Sequence, residues 1–197
     1  MAIHGARVIT STSTQLGAAD QLLVAQAVSA QDTAAFGELI RRHQSQVRNF
    51  LRKLTGDLSA ADDMAQDCFL HAWNKLQTFT GRGSFIGWLL KIAYTTFLQS
   101  KRKSKRYLEV LDEATYVAQT ESRSYTPRQD EISDLDKLLA VLNEDERAIM
   151  IMSYACGLSH REIGDATGLP VGTVKSVIFR GKEKIRKNFD IKDHQYG

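Results

Sequence analysis

A chain of 197 residues with 43% apolar side chains has material for one large core or two small ones, and its 25% charged content is that of a folded rather than a disordered protein. The formal net charge is only +3, so an anionic partner such as nucleic acid has to be met by local rather than global charge. No run approaches the ~18 apolar residues of a membrane span, the first residues lack the apolar stretch of a secretory leader, and the two cysteines, Cys68 and Cys156, read as reduced thiols in a cytoplasmic protein rather than a disulfide framework.

In chain order, residues 1–19 read as a mobile N-terminal tail. From Asp20 onward the spacing is helical and no strand alternation persists. Asp32 is placed to cap a helix whose apolar stripe is Phe36, Leu39, Ile40, His43, Val47, Phe50, Leu51 and Leu54, with Gly56 as its stop. Ser59 followed by Asp62 resembles a capping box with Asp in place of Glu. It opens a second stripe of Ala61, Ala65, Cys68, Ala72 and Leu76. The sequence TFTGRGS, Thr78 to Ser84, is a loop holding two glycines. Ser84 then caps a third helix, with Phe85, Trp88, Leu89 and Ile92 on one side, that runs through SKRKSKR to Arg106.

Character changes after that helix. From Glu109 to Lys137 there are eight acids and three bases, which reads as a flexible acidic linker over 109–132. A second helical unit begins near Ser133 with Leu135, Leu138, Leu139 and Leu142. Asn143 and Glu146 form the caps of the next helix, which carries Ile149, Met152 and Ala155 and stops at Gly157. Ser159 and Glu162 form another capping box, Gly168 stops that short helix, and Pro170 opens the last one.

A short helix, a Gly-containing corner and a longer helix make a helix-turn-helix. Ile163, Ala166, Leu169, Val174 and Ile178 would join its two helices, and Gly181 and Ile185 continue the inward face of the last. Lys175, Phe179, Lys182 and Arg186 share the outward face, flanked by Ser176 and Arg180. From Pro170 to Lys187 there are six cations and one anion, a charge suited to phosphates, while Lys175, Ser176 and Arg180 can reach base edges and Phe179 a thymine methyl or sugar. The bland alternative is a solvated terminal helix.

Two longer stretches carry a resemblance. SAADDMAQDCFLHAWNKLQTFTGRGSFIGWLLKIAYTTFLQSKRKSKR resembles the second conserved region of bacterial sigma factors, with FGELIRRH upstream fitting as well. LNEDERAIMIMSYACGLSHREIGDATGLPVGTVKSVIFRGKEKIRK resembles the fourth region. Both are most similar to the extracytoplasmic-function (ECF) branch of the primary-type, sigma-seventy family. The resemblance implies an all-α fold of two small helical domains joined by a flexible acidic linker, the C-terminal one a helix-turn-helix. Its divisions are a tail over 1–19, a region 2 domain over 20–108, the linker over 109–132, a region 4 domain over 133–190 and a tail over 191–197.

It implies a protein that does no chemistry, needs no cofactor or metal, binds core RNA polymerase and directs promoter-specific initiation. Asp62, Asp63, Gln66, Asp67, Leu70 and Asn74 would dock on the polymerase largest subunit. Phe79, Thr80, Arg82 and Ser84 would take a flipped base of the minus-ten strand, with Lys101 and Arg102 on its phosphates. Thr173, Lys175, Ser176, Phe179 and Arg180 would read the minus-thirty-five duplex. Partners are then core polymerase, duplex and single-stranded promoter DNA, and an anti-sigma factor. The chain departs from the family at Tyr94, where Arg is frequent, at Thr95 and Gln99, where Asn and Asp are common, and at Val177, often Arg. Taken alone, the aspartates also read as a solvated acidic face or, less readily, as a metal site for a nuclease; Cys68 and His71 provide too few ligands for zinc. A stand-alone helix-turn-helix regulator remains the alternative function.

Overall fold

The computed structural model describes residues 6–114 and 134–189, with side chains placed over 17–107 and 134–189. Among these residues there are eight α-helices, one 3-10 turn and no strand. The stretch expected as a tail is helical from Ala6: α1 spans Ala6–Ser29. Its C-terminal half is docked on α2 through Asp20, whose carboxylate accepts from Arg42 at 3.4 Å and meets Nε2 of His43 at 2.8 Å. Those partners are what allow a carboxylate only 4% exposed. Val24 and Ala27 add apolar contact.

Helix α2, Thr33–Thr55, starts where Asp32 accepts from the N–H groups of Ala34 and Ala35, and ends at Gly56, whose φ of 70° is the left-handed cap glycine tolerates. Helix α3, Leu58–Lys75, starts two positions earlier than the Ser59 cap predicts. Asp57 is the cap, its carboxylate accepting from the Ala60 N–H at 3.0 Å. Ser59 is already inside the helix, and Asp62 pairs with Arg48 at 2.7 Å instead. Leu76–Thr78 form the 3-10 turn. Helix α4, Phe85–Ala114, opens with the Ser84 hydroxyl accepting from the Gly87 N–H at 3.2 Å. It continues beyond the boundary expected at 109, where Leu, Glu and Ala are strong helix formers; the rest of the expected linker lies outside the described residues.

The small buried residues of α3, Ala61, Ala65, Cys68 and Ala72, let it approach α2 and α4 closely. Against them lie Leu39, Val47, Phe50, Leu51 and Leu54 of α2, and Phe85, Leu89, Leu90, Ala93 and Phe97 of α4. Burial pushes the Cys68 thiol up to about 12 and that of Cys156 up to about 11, so both are protonated packing groups.

The second unit comprises α5 (Asp134–Ala140), α6 (Glu144–Tyr154), α7 (His160–Thr167) and α8 (Val171–Phe189). Both predicted capping boxes, Asn143 with Glu146 and Ser159 with Glu162, are present in full. Leu139 and Leu142 are buried, but Leu135, expected on the same stripe, is 43% exposed at the start of the short α5. At its other end the buried Arg147 donates to the carbonyls of Leu139 at 3.1 Å and Leu142 at 3.0 Å, satisfying carbonyls that a helix end leaves over. The two units are packed together, α7 against α4 and α6 against α2.

Candidate nucleic-acid interface

The helix-turn-helix is set by one close approach. A Cβ on Gly164 would lie 2.8 Å from the Leu169 carbonyl oxygen, so only glycine lets the turn fold back on α7. Gly168 follows the helix at φ 77°, its N–H bonded to the Gly164 carbonyl at 2.8 Å. This fixes α8 with Val174 and Ile178 inward, and Thr173, Lys175, Ser176, Phe179 and Arg180 all exposed. Phe179 is 66% exposed, an arrangement that costs apolar hydration unless a partner covers it. Not every cation of the helix faces outward. Lys184 donates to both carboxylate oxygens of Glu146 at 2.7 Å, tying α8 to the cap of α6. Arg186 pairs with Glu183 at 2.9 Å. Val177 is buried, at 8% exposure, so its difference from the usual Arg falls on the packing side of α8.

The loop after α3 is only partly open. Thr80 and Arg82 are exposed, and Gly81 and Gly83 have φ of 74° and 82°, backbone that favours glycine. Phe79 is half-buried, 5.5 Å from Phe85 edge-on and 5.7 Å from Trp88. Trp88 thus sits at the rim of the core, one wall of an aromatic cluster. Ser84 is bonded to Glu162 through both its N–H, at 3.0 Å, and its hydroxyl. Further along α4, Lys101 pairs with Glu144 at 2.5 Å and Arg102 is exposed. Tyr94, one of the departures from the family pattern, is buried and its hydroxyl donates to Asp145 at 2.7 Å. Burial first, then that bond, push its ionisation well above the usual tyrosine range.

On α3, Asp63, Gln66, Asp67, Leu70 and Asn74 are exposed, with Asp62 half-exposed beside them. Leu70, 63% exposed, is one wall of an open groove of about 480 Å³ formed with Thr33, Phe36, Gln66, Phe69 and Trp73. The rings of Phe36 and Trp73 lie 5.1 Å apart within it. Phe36, Phe69 and Trp73 were not among the residues the sequence singled out for docking. The signal for Phe69 and Trp73 was there: with Leu70 they are large apolar residues i, i+1 and i+4 apart, on α3 yet off its alanine stripe. Among the described residues no three His, Cys, Asp or Glu side chains come together in a group that would hold a metal ion, and no helix is long and apolar enough to cross a membrane.

Two helical units, one a helix-turn-helix with a cationic outward face and the other with an acidic, partly apolar face beside a glycine-rich loop, have the arrangement of a helix-turn-helix DNA-binding protein. The Sigma-70 region 2 profile matches residues 39–107 and the Sigma-70, region 4 profile residues 132–185. The ECF RNA polymerase sigma factor RpoE of Cereibacter sphaeroides is 31% identical over 159 residues, covering 80% of this chain and 87% of the relative. SigE of Mycolicibacterium smegmatis, also an ECF factor, is 31% identical over 160 residues, and the match spans 60% of its length. The sigma factor RpoE of Bartonella quintana, solved in complex with the anti-sigma factor NepR, superposes with a TM-score of 0.67 at 25% identity, covering 80% of this chain and 98% of that one. CnrH, solved with the cytosolic domain of CnrY, gives 0.64 at 25% identity, covering 89% and 99%. The chain belongs to the sigma-70 family, in its ECF branch. It is an RNA polymerase sigma factor, which binds core enzyme and directs promoter-specific initiation, and sigma factors in general are not enzymes.

Proposed function

We propose a division of labour between the two units. The unit over 20–108, built from the end of α1 with α2–α4, docks on core polymerase through Asp62, Asp63, Gln66, Asp67, Leu70 and Asn74 of α3 and through the aromatic groove beside them. Its loop and α4 hold the minus-ten non-template strand with Phe79, Thr80, Arg82, Ser84, Lys101 and Arg102. The unit over 133–190 reads the minus-thirty-five duplex with Thr173, Lys175, Ser176, Phe179 and Arg180. The observation that carries this reading is the pairing of two unlike surfaces in one chain: a cationic solvent face on α8 bearing a 66% exposed Phe179, and an acidic flank on α3 beside an open apolar groove. Phosphate attraction supplies affinity on α8, and base-edge contacts supply choice. Modest affinity at each surface suffices, because the first contact makes the second intramolecular.

The protein works in the cytoplasm, performs no reaction of its own and is held inactive by an anti-sigma factor. Support for that last partner comes from Bartonella RpoE, solved with the anti-sigma factor NepR. Run-off transcription with purified core polymerase on a promoter library tests the main reading: promoter-specific starts dependent on this chain are expected, and their absence would overturn it. Co-purification from cells tests the regulator; recovery of polymerase alone would end that part.

A further inference from the structure

The loop assigned above to the minus-ten strand is in contact with the N-terminal helix. α1 packs on α2, and also on α4 and on the 3-10 turn from which the loop leaves. Two consecutive residues of α1 do different work there. Asp20, 4% exposed, anchors the helix: its carboxylate accepts from Arg42 at 3.4 Å and meets Nε2 of His43 at 2.8 Å. Gln21 is exposed, and its Nε2 donates to the carbonyl oxygen of Gly81, in the middle of the loop, at 3.4 Å. A Cβ on Gly81 would lie 3.7 Å from Nε2 and 3.9 Å from Cδ of Gln21, so the amide also lies close against the loop backbone.

His43 extends the anchor to the far end of the loop. Its ring lies 5.4 Å from that of Phe85, the first residue of α4, and Phe85 is 5.5 Å from Phe79 edge-on. At the near end the N–H of Phe79 donates to the Leu76 carbonyl at 3.1 Å. Both ends of the loop are thus held by packing, and its middle is bonded to α1. Between those ends Gly81 and Gly83 have φ of 74° and 82°, and glycine backbone loses more freedom on ordering than any other. A pocket made of such backbone binds a base better the less ordering is left for the moment of binding. One exposed neutral bond adds little to the stability of a fold, so the effect of Gln21 falls on the loop rather than on the core.

We infer that Gln21 is a positioning residue for the minus-ten loop: carried on α1 by the Asp20 anchor, it holds the Gly81 carbonyl, and with it the loop, in the shape that takes the flipped base. This role rests on the assignment of the loop to the minus-ten strand.

Gln21→Met keeps the length and helix preference of the side chain and removes its donor, whereas Gln21→Lys keeps a donor. Leu22→Ala, at the next position and 62% exposed, controls for changes on α1 that leave the loop alone. Each full chain is assembled with core polymerase, and fluorescence anisotropy reads its affinity for a labelled minus-ten strand from a promoter found by run-off transcription. The same strand is also made abasic at one position at a time. In the parent, one abasic position weakens binding about tenfold, the loss of a stacked base, and identifies the base the loop takes. Gln21→Met is expected to bind the intact strand about three- to tenfold more weakly, the worth of one neutral hydrogen bond, and to bind the strand abasic at that position as the parent does. Gln21→Lys and Leu22→Ala keep the parent's ratio of intact to abasic affinity, a ratio in which added charge and general loosening cancel. Gln21→Met with the parent's ratio overturns the positioning role, and so does either other variant with the ratio of Gln21→Met. If instead no abasic position costs the parent any affinity, the loop takes no base and the assignment beneath the role fails.

Discussion

Replacing Gly164 by alanine puts a methyl carbon 2.8 Å from the carbonyl oxygen of Leu169, far inside the 3.5 Å or so at which such atoms rest. The obstacle is main chain, so no side chain can swing aside. Leu169 also follows Gly168, whose N–H is bonded to the Gly164 carbonyl itself, and moving the turn therefore loosens the cap of α7. Overpacking of this kind costs about 1–3 kcal/mol, and alanine's helix preference returns about 1 kcal/mol, leaving a net loss of up to about 2 kcal/mol. For a chain of this length that is a fall of up to about 8 °C in the melting midpoint. Gly37 is the control: it lies inside α2 with nothing within 4 Å of an added Cβ, so Gly37→Ala should raise the midpoint by about 1–4 °C. Thermal unfolding followed by far-UV circular dichroism reads both. Because Gly164 sets the angle of α8, Gly164→Ala should also weaken duplex binding below its melting point. A Gly164→Ala protein as stable as Gly37→Ala would refute the tight-turn argument.

Arg180→Ala should weaken binding to a minus-thirty-five duplex by about 1–3 kcal/mol and relax selectivity at one base pair, read by anisotropy against a panel of single-base changes; an unchanged panel removes Arg180 from the base-reading set. Asp63→Ala and Leu70→Asp should each reduce affinity for core polymerase in a pull-down while leaving duplex binding by the same chain intact, and loss of both activities would mean misfolding instead. Burial pushes the carboxyl of Glu146 up, but the bonds from Lys184 and the Asn143 N–H outweigh it and hold the group below its ordinary 4.5. A depressed folded value means that this stabilisation is whole above about 4.5 and is lost as pH falls through the lower folded value. Urea midpoints measured from neutral to acid pH should therefore fall less steeply for Glu146→Gln than for the parent, and parallel curves would show that the Glu146 pair carries none of the acid dependence.

The helices were legible because their signals are local. A stripe such as Leu39, Val47, Phe50, Leu51 and Leu54 repeats at the helical period wherever it is read, and a capping box such as Ser159 with Glu162 is closed within four residues. The cationic face of α8 followed from the same periodicity, since Lys175, Phe179 and Arg180 fall opposite Val174 and Ile178. Even locally, competing caps mislead: Asp57 and Ser59 both have the right chemistry, and the turn at Gly56 presents the first of them.

What the sequence could not decide is what lies across from each face. Periodicity says that a residue points inward or outward, not which distant residue meets it. Lys184 counted as a cation for DNA until the fold set it on Glu146. Asp20 sat at the edge of an expected tail until Arg42 and His43 came within reach. Tyr94 read as a lapse from a pattern, whereas in the packed chain it bonds Asp145, 51 residues away. These contacts depend on how one helix crosses another, and a crossing is fixed by the summed shape of both surfaces rather than by any short run of residues.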